Sequence, residues 1–215
     1  MSETSSFDFN AFIQESKETL LNPKSYFPTM KLSGGMAEPL IKAVIYGAVA
    51  GILAFLWGVL GLGGVAGIFG AGIGAMALVW TIVGALIGLF IGAVILLIIS
   101  SICKGNADFE ANMRVTAAVM VVMPINALLG FTMGINSVFG MIISLGVNLY
   151  ALYLLYHGLT GALKANPGTA KIVMYVLAAL LLIATLAGLS TRNKTNRIMN
   201  DINMDQSMNI KEDSR

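Results

Sequence analysis

Apolar residues fall along the chain in long unbroken runs, separated by short polar segments. No Asp, Glu, Lys or Arg occurs in residues 43–103, 115–163 or 172–191. A bilayer-spanning helix needs about 20 apolar residues, because each residue adds about 1.5 Å across a hydrocarbon core about 30 Å thick. The pattern predicts an all-α, polytopic membrane helix bundle with five transmembrane helices. The predicted spans are about 40–60, 76–101, 113–133, 138–159 and 170–189.

The segment before the first span, residues 1–39, is polar to amphipathic. Its apolar residues recur at helical spacing, and Asn22 followed by Pro23 ends the predicted helix. Such a helix would either dock on its own membrane domain or lie in the headgroup plane, and the pattern favours neither. The aromatic pair Tyr26–Phe27 and Lys31 suit the membrane interface. The apolar positions of the helix are Phe9, Phe12, Ile13 and Leu20.

Glycine is concentrated in two places. Residues 58–74 hold eight glycines in seventeen positions, too many for a good helix, so this segment is predicted to be a short, irregular or re-entrant connection. A sixth span over 62–79 is the alternative. In the second span, Gly84, Gly88 and Gly92 form a glycine zipper, which would let another helix approach closely, either within the chain or in a homodimer, or would line a permeation path.

Spans three and four hold the few polar groups expected at membrane depth. Pro124 should kink the third span, and Asn126 should satisfy a freed carbonyl or bond a neighbouring helix. Asn148 is expected to face the bundle with Asn126, because an unpaired amide in hydrocarbon costs several kcal/mol. Tyr153 and His157 belong to an aromatic group expected at the interface.

The composition excludes several classes of function. The chain is 57% hydrophobic and 11% charged, against roughly 25% charged residues in soluble domains. The single cysteine, Cys103, and the single histidine, His157, leave no metal cluster, cofactor site or catalytic pair. Net charge is +2 with no basic block, so nucleic acid is not an expected partner. The residues predict no enzyme, and Cys103 is expected at the membrane edge.

The distribution of Lys and Arg predicts the orientation. With five spans and a cytoplasmic N-terminus, the external loops 61–75 and 134–138 hold no Lys or Arg. The tail 191–215, polar and expected to be poorly ordered, is then external and does not fit the rule. A sixth span would bring the tail inside but move the central cations outside, so five is preferred. The cations of the predicted cytoplasmic segments are Lys17, Lys24, Lys31, Lys42, Lys104, Arg114, Lys164 and Lys171.

The order and spacing of several segments over about 20–190 resemble the prokaryotic branch of the Yip1 family. LLNPKSYF and GGMAEPL lead into the first span, and LYALYLLYHGLTGALKANPGTAKIVMYVL covers the fourth span and the entry to the fifth. In KGNADFEANMRVTAAVMVVMP the matching residues are Gly105, Phe109, Glu110, Arg114 and Pro124, and Tyr156–Gly158 ends the fourth span.

The resemblance implies five spans, a cytosolic N-terminus and a non-enzymatic role. Eukaryotic members engage prenylated Rab GTPases, but their aspartate–leucine–tyrosine–glycine–proline motif is absent before the first span, so this role is not carried over. The expected function is a plasma-membrane scaffold or accessory protein of a prokaryote. Its expected partners are membrane lipids and an unidentified protein, with a second copy of the chain as a further alternative. The alternative is a small passive channel or transporter with a path along 58–74. A proton-coupled transporter is disfavoured, because the span interiors hold no ionisable carboxylate or amine.

Overall fold

The computed structural model describes residues 7–62 and 71–188, without the side chains of 71–75 and 77. Within these ranges the chain is helical and holds no strand. It divides into two units at Ala178–Ala179, and the described part of the second unit, residues 179–188, is helical. The helices are α1 Phe9–Leu21, α2 Pro23–Thr29, α3 Ala37–Val59, α4 Ala71–Ile102, α5 Phe109–Val119, α6 Val122–Leu128, α7 Thr132–Ile135, α8 Ser137–His157 and α9 Pro167–Gly188. A 3₁₀ turn, Leu129–Phe131, precedes α7, and a π turn, Gly158–Ala162, follows α8.

Five helical segments of the described chain are long and apolar enough to cross a membrane, which confirms the all-α fold with five spans. Each begins within about four residues of its predicted position. The five segments are Ala37–Val59, Leu78–Ile102, Phe109–Ile135, Ser137–Ala162 and Pro167–Gly188.

The third span is broken into short helices. Helix α5 ends at Val119 and α6 begins at Val122, so that Pro124 lies in the first turn of α6. Proline has no N–H to donate, and its ring clashes with the carbonyl four residues earlier, which here belongs to Met120. The backbone tightens at that point, and Met123 donates to the Met120 carbonyl at 2.9 Å. The interruption therefore lies on the N-terminal side of the proline.

The glycine-rich connection is only partly described. Helix α3 ends at Val59, Gly61 has a φ of +73°, and α4 already begins at Ala71, so 71–74 are helical rather than irregular. Residues 63–70 lie outside the described residues, as does the polar tail from 191 on. The predicted re-entrant connection over 58–74 and the alternative sixth span over 62–79 both fall largely on residues 63–70.

Candidate functional site

Charged side chains meet where α1, α3 and α5 come together. Lys42 is 5% exposed, and its Nζ lies 2.5 Å from Glu15 Oε2 and 2.8 Å from Glu38 Oε1. Glu38 also bonds Arg114, so its two oxygens serve different cations. We call Glu15, Glu38, Lys42, Glu110 and Arg114 the polar junction.

Arg114 is the most enclosed member of the polar junction, with a side chain 2% exposed. Its Nη1 lies 2.7 Å from Glu38 Oε2 and its Nε 2.9 Å from Glu110 Oε1, while Nη2 donates to the Gly35 carbonyl at 2.8 Å. The Gly35 N–H in turn donates to Glu110 at 2.7 Å. Gly35 has a φ of +95°, which favours glycine and lets the loop before α3 turn its peptide toward the guanidinium. A buried cation is tolerated when it is paired and hydrogen-bonded in this way.

Helix α1 packs on the start of α3 through its middle turns. Phe12 is buried with its ring centroid 5.2 Å from that of Tyr46, and the Ser16 and Tyr46 hydroxyls are 2.7 Å apart. Asp8 caps the helix by accepting from the N–H groups of Asn10 and Ala11. Together with the Glu15–Lys42 pair, these contacts hold α1 against the membrane domain.

Helix α2 packs on the π turn rather than projecting to the interface. Phe27 was expected at the membrane interface, but it is 0% exposed, and a Cβ at Gly158 would lie 3.4 Å from its ring. Pro23 ends α1 as predicted and also occupies the first turn of α2, where a missing N–H costs nothing. Burial raises the pKa of Tyr26 above its ordinary value, and the charge of Glu15 raises it further, so the phenol stays protonated.

Two loops at this end of the helices are joined by backbone hydrogen bonds. Asn106 N–H donates to the Leu163 carbonyl at 2.7 Å, and Asn166 N–H donates to the Cys103 carbonyl at 2.8 Å. Asn112 is fully buried and donates to the carbonyls of Asn106 and Asp108. The α4–α5 and α8–α9 connections are therefore fixed to each other.

Cys103 lies directly after the last residue of the second span, as expected, and is enclosed by this pair of loops. It is 0% exposed, and burial raises the pKa of its thiol. A protonated, enclosed thiol is neither a good nucleophile nor an accessible site for acylation. The loop contacts that bury it could not be inferred from its position at the end of an apolar run.

The glycine zipper does not pack as expected. An added Cβ would meet no described atom within 4 Å at Gly84 or Gly88, and only at Gly92 would it approach another helix, 2.9 Å from Thr116 Cγ2. Helix α4 buries Ala85 and Leu89, each one residue after a zipper glycine and so about 100° around the helix. The close approach between α3 and α4 comes from other glycines, Gly47 and Gly51, opposite Ala85 and Thr81.

The two span amides are also placed differently from the expectation. Asn148 is exposed on the described surface and donates to the carbonyl of its own helix neighbour Ser144 at 2.7 Å. Asn126 is exposed too and lines a cavity of about 100 Å³ beside the 3₁₀ turn. A side-chain bond between α3 and α6 comes instead from the indole of Trp57, whose Nε1 donates to the Ala127 carbonyl at 3.0 Å. A local acceptor satisfies Asn148 without a partner helix.

Tyr153 and His157 lie together near the end of α8. Their ring centroids are 4.6 Å apart in an edge-on arrangement, and Tyr150 stacks on Tyr153 at 5.7 Å. The Tyr150 hydroxyl donates to the Leu20 carbonyl at the end of α1. Tyr153 remains 47% exposed and His157 half-buried, and both line a groove beside α9.

The sequence did not predict the polar junction. Lys42 and Arg114 served there only to predict the orientation, and Glu110 and Arg114 only to support the family resemblance. The helical pairs of the polar junction were visible as a Glu four residues before a cation, in Glu38–Lys42 and in Glu110–Arg114. Glu15 gave no such signal, because its partner is 27 residues away. The described junction is an ion-pair network that joins α1, α3 and α5.

The model of the Yip1 domain family matches residues 17–189, which confirms the resemblance seen in the sequence. No curated protein and no solved structure matches the chain.

Proposed function

The chain belongs to the Yip1 family of multi-pass membrane proteins, and on that premise we propose that it is a non-enzymatic membrane scaffold or accessory protein. The observation that carries the proposal is the polar junction. Its buried cations Lys42 and Arg114 fix α1 and the loop at Gly35 to the starts of two spans. These contacts hold α1 and the loop at Gly35 in fixed positions at the ends of the membrane helices, where a partner molecule could bind them.

Helix α1 supports this role, because it also exposes apolar residues beside its buried face. It buries Phe12 against the bundle, yet Phe9 is 58%, Ile13 51% and Leu21 66% exposed. Phe9 and Ile13 are four residues apart and share a face. Exposed apolar residues on one face of a surface helix are typical of membrane or protein interaction sites.

We place the protein in the plasma membrane of a prokaryote, with its N-terminus in the cytoplasm. The contacts that join α1, α2 and the loops at Asn106 and Leu163 support a common side for these segments. These segments carry four of the eight Lys and Arg residues of the described chain, and the positive-inside rule favours the cytoplasm for segments rich in these residues. At the opposite end, a Cβ at Gly134 would touch the backbone of Leu62, which supports a shared external side.

Photo-crosslinking in native membranes tests the scaffold. A photoreactive residue at Ile13, on the exposed face of α1, should give a discrete protein adduct. The matched control is Ile172, which is 65% exposed on α9 and should give lipid adducts only. Lipid adducts alone at both positions, together with recovery of a lone monomer, would reject the scaffold. Solute flux through the purified protein in liposomes would favour the channel instead.

A further inference from the structure

A groove of about 450 Å³ opens between α8 and the part of α9 before Ala179. This volume lies within the roughly 300–1,000 Å³ typical of small-molecule sites. Its body is apolar, and its aromatic and cationic residues are concentrated at one end. The residues that line it are Leu149, Leu152, Tyr153, Tyr156, His157, Lys171, Met174, Tyr175 and Ala178.

The polar end of the groove lies at the ends of two spans. His157 ends α8, and Lys171 belongs to the first turns of α9. From His157 back to Leu149 the helix rises about 12 Å, at about 1.5 Å per residue. The groove therefore runs from the membrane interface into the hydrocarbon, as a lipid molecule does.

The charge at that end is positive and uncompensated. No carboxylate is among the residues that line the groove, and neither Lys171 nor Lys24 forms an ion pair with a described acid. The Lys171 ammonium lies 5.8 Å from the centre of the Tyr175 ring. Lys24 lies on α2, which packs on the π turn that follows His157. An anionic group would satisfy these donors.

We propose that this groove binds one anionic phospholipid, with an acyl chain along the apolar body and the phosphate between Lys171 and His157. The phosphate accepts hydrogen bonds from the ammonium and from an imidazole N–H. Tyr153 and Tyr175, 47% and 64% exposed, stand at the headgroup level, where tyrosines settle in membrane proteins. Lys24 adds long-range attraction for a negative headgroup.

The inference goes beyond the scaffold role and can fail separately from it. Lipid binding is a property of the purified chain, whereas scaffolding requires a protein adduct in native membranes. Either result leaves the other intact.

Native mass spectrometry of the full chain in mild detergent tests the headgroup contact. The probes are phosphatidylglycerol and phosphatidylcholine with the same acyl chains, and glycerol phosphate as the headgroup alone. Phosphatidylglycerol should be retained preferentially, and glycerol phosphate should not bind. Lys171→Gln should weaken phosphatidylglycerol about fivefold and phosphatidylcholine less, because the choline cation already offsets the charge of its phosphate. Lys17→Gln, an equal charge change on exposed α1, is the control and should have no effect.

A second pair of variants tests the apolar body. Ala178→Phe puts a ring into the groove and should reduce binding of both phospholipids. Ala179→Phe, at an exposed position that does not line the groove, should leave binding unchanged. Size-exclusion elution and thermal unfolding show that each variant is folded.

Three outcomes would overturn the proposal. The first is equal retention of the two phospholipids by the unaltered chain, and the second is equal effects of Lys171→Gln and Lys17→Gln. The third is a change of oligomeric state in Ala178→Phe with unchanged lipid binding, which would assign the groove to a helix of a second copy.

Discussion

Polar side chains in this membrane protein find partners in two opposite ways. One is seen in the buried cations Lys42 and Arg114, and the other in the span amides Asn126 and Asn148. Each cation is enclosed and bonds partners from other helices or loops. Asn148 is exposed and bonds within its own helix, and Asn126 faces a small cavity. The bonds of the cations connect segments that are far apart in sequence, whereas the bond of Asn148 stays within one helix.

The contrast follows from the strength of the groups and from their depth. A charge costs far more than an amide when it is removed from water without a partner, so a buried cation must be surrounded. An amide needs fewer partners, and a carbonyl four residues back can supply one. At the ends of the spans, short loops such as the one at Gly35 can reach the cation, whereas in residues 7–62 and 71–188 no loop reaches the middle of a span. Polar residues therefore organise the end of this bundle, while small residues organise its interior.

The largest effect should come from Arg114→Leu. It leaves Glu38 and Glu110 without their shared cation and should cost about 3 kcal/mol of unfolding free energy, as removal of one partner of a buried pair does. Denaturant unfolding in mild detergent measures the loss. Lys17→Leu, at an exposed position on α1, should change stability by less than about 0.5 kcal/mol. Similar losses in the two variants would show that the polar junction does not stabilise the fold.

Gly47→Leu tests whether small residues hold the interior together. An added Cβ would lie 2.7 Å from Ala85 Cβ and 3.2 Å from the Ile82 Cα, so α3 and α4 must separate, at a cost of about 1–3 kcal/mol. Gly88→Leu is the matched variant on α4, where nothing described lies within 4 Å.

The same unfolding measurement should show little change for Gly88→Leu in the purified monomer. This reverses the importance that the zipper pattern gave to Gly88. Greater damage from Gly88→Leu than from Gly47→Leu would contradict the α3–α4 packing described above.

Tyr46→Phe should have a moderate effect, because it removes only the hydroxyl contact between α3 and Ser16 of α1. A hydrogen bond of this kind contributes about 1 kcal/mol net. Amide hydrogen exchange should then accelerate in α1 more than in α8. Tyr175→Phe is the control, since that ring is 64% exposed. Unchanged exchange in α1 would mean that the hydroxyl bond adds nothing to the docking by the Phe12 ring contact and the polar junction.

Asn148→Leu should have the smallest effect, within about 0.5 kcal/mol in either direction. Its amide bonds only Ser144 in its own helix, so leucine removes no contact between helices. Thermal unfolding in detergent checks this. A loss of more than about 1 kcal/mol would reveal a partner for Asn148 and remove the contrast with Arg114.

Much of the fold could be predicted because the bilayer imposes one length and one polarity on each span. The charge-free runs predict five spans, and the span bounds follow within a few residues. Asn22–Pro23 predicts the end of α1, because proline disfavours a helical conformation for the residue before it. Local rules of this kind depend only on neighbours in sequence.

The sequence alone therefore determined that the protein lies in a membrane, and it determined the number of spans, the family and the absence of charge from the span interiors. Only the tertiary structure decided that Glu15 pairs with Lys42, that Cys103 is enclosed by two loops, and that Gly47 rather than Gly88 faces another helix. The physical reason is that all sides of an apolar helix are compatible with lipid. Hydrophobicity along the sequence therefore cannot show which side packs against another helix. That choice depends on steric fit and on ion pairs between segments that are distant in sequence.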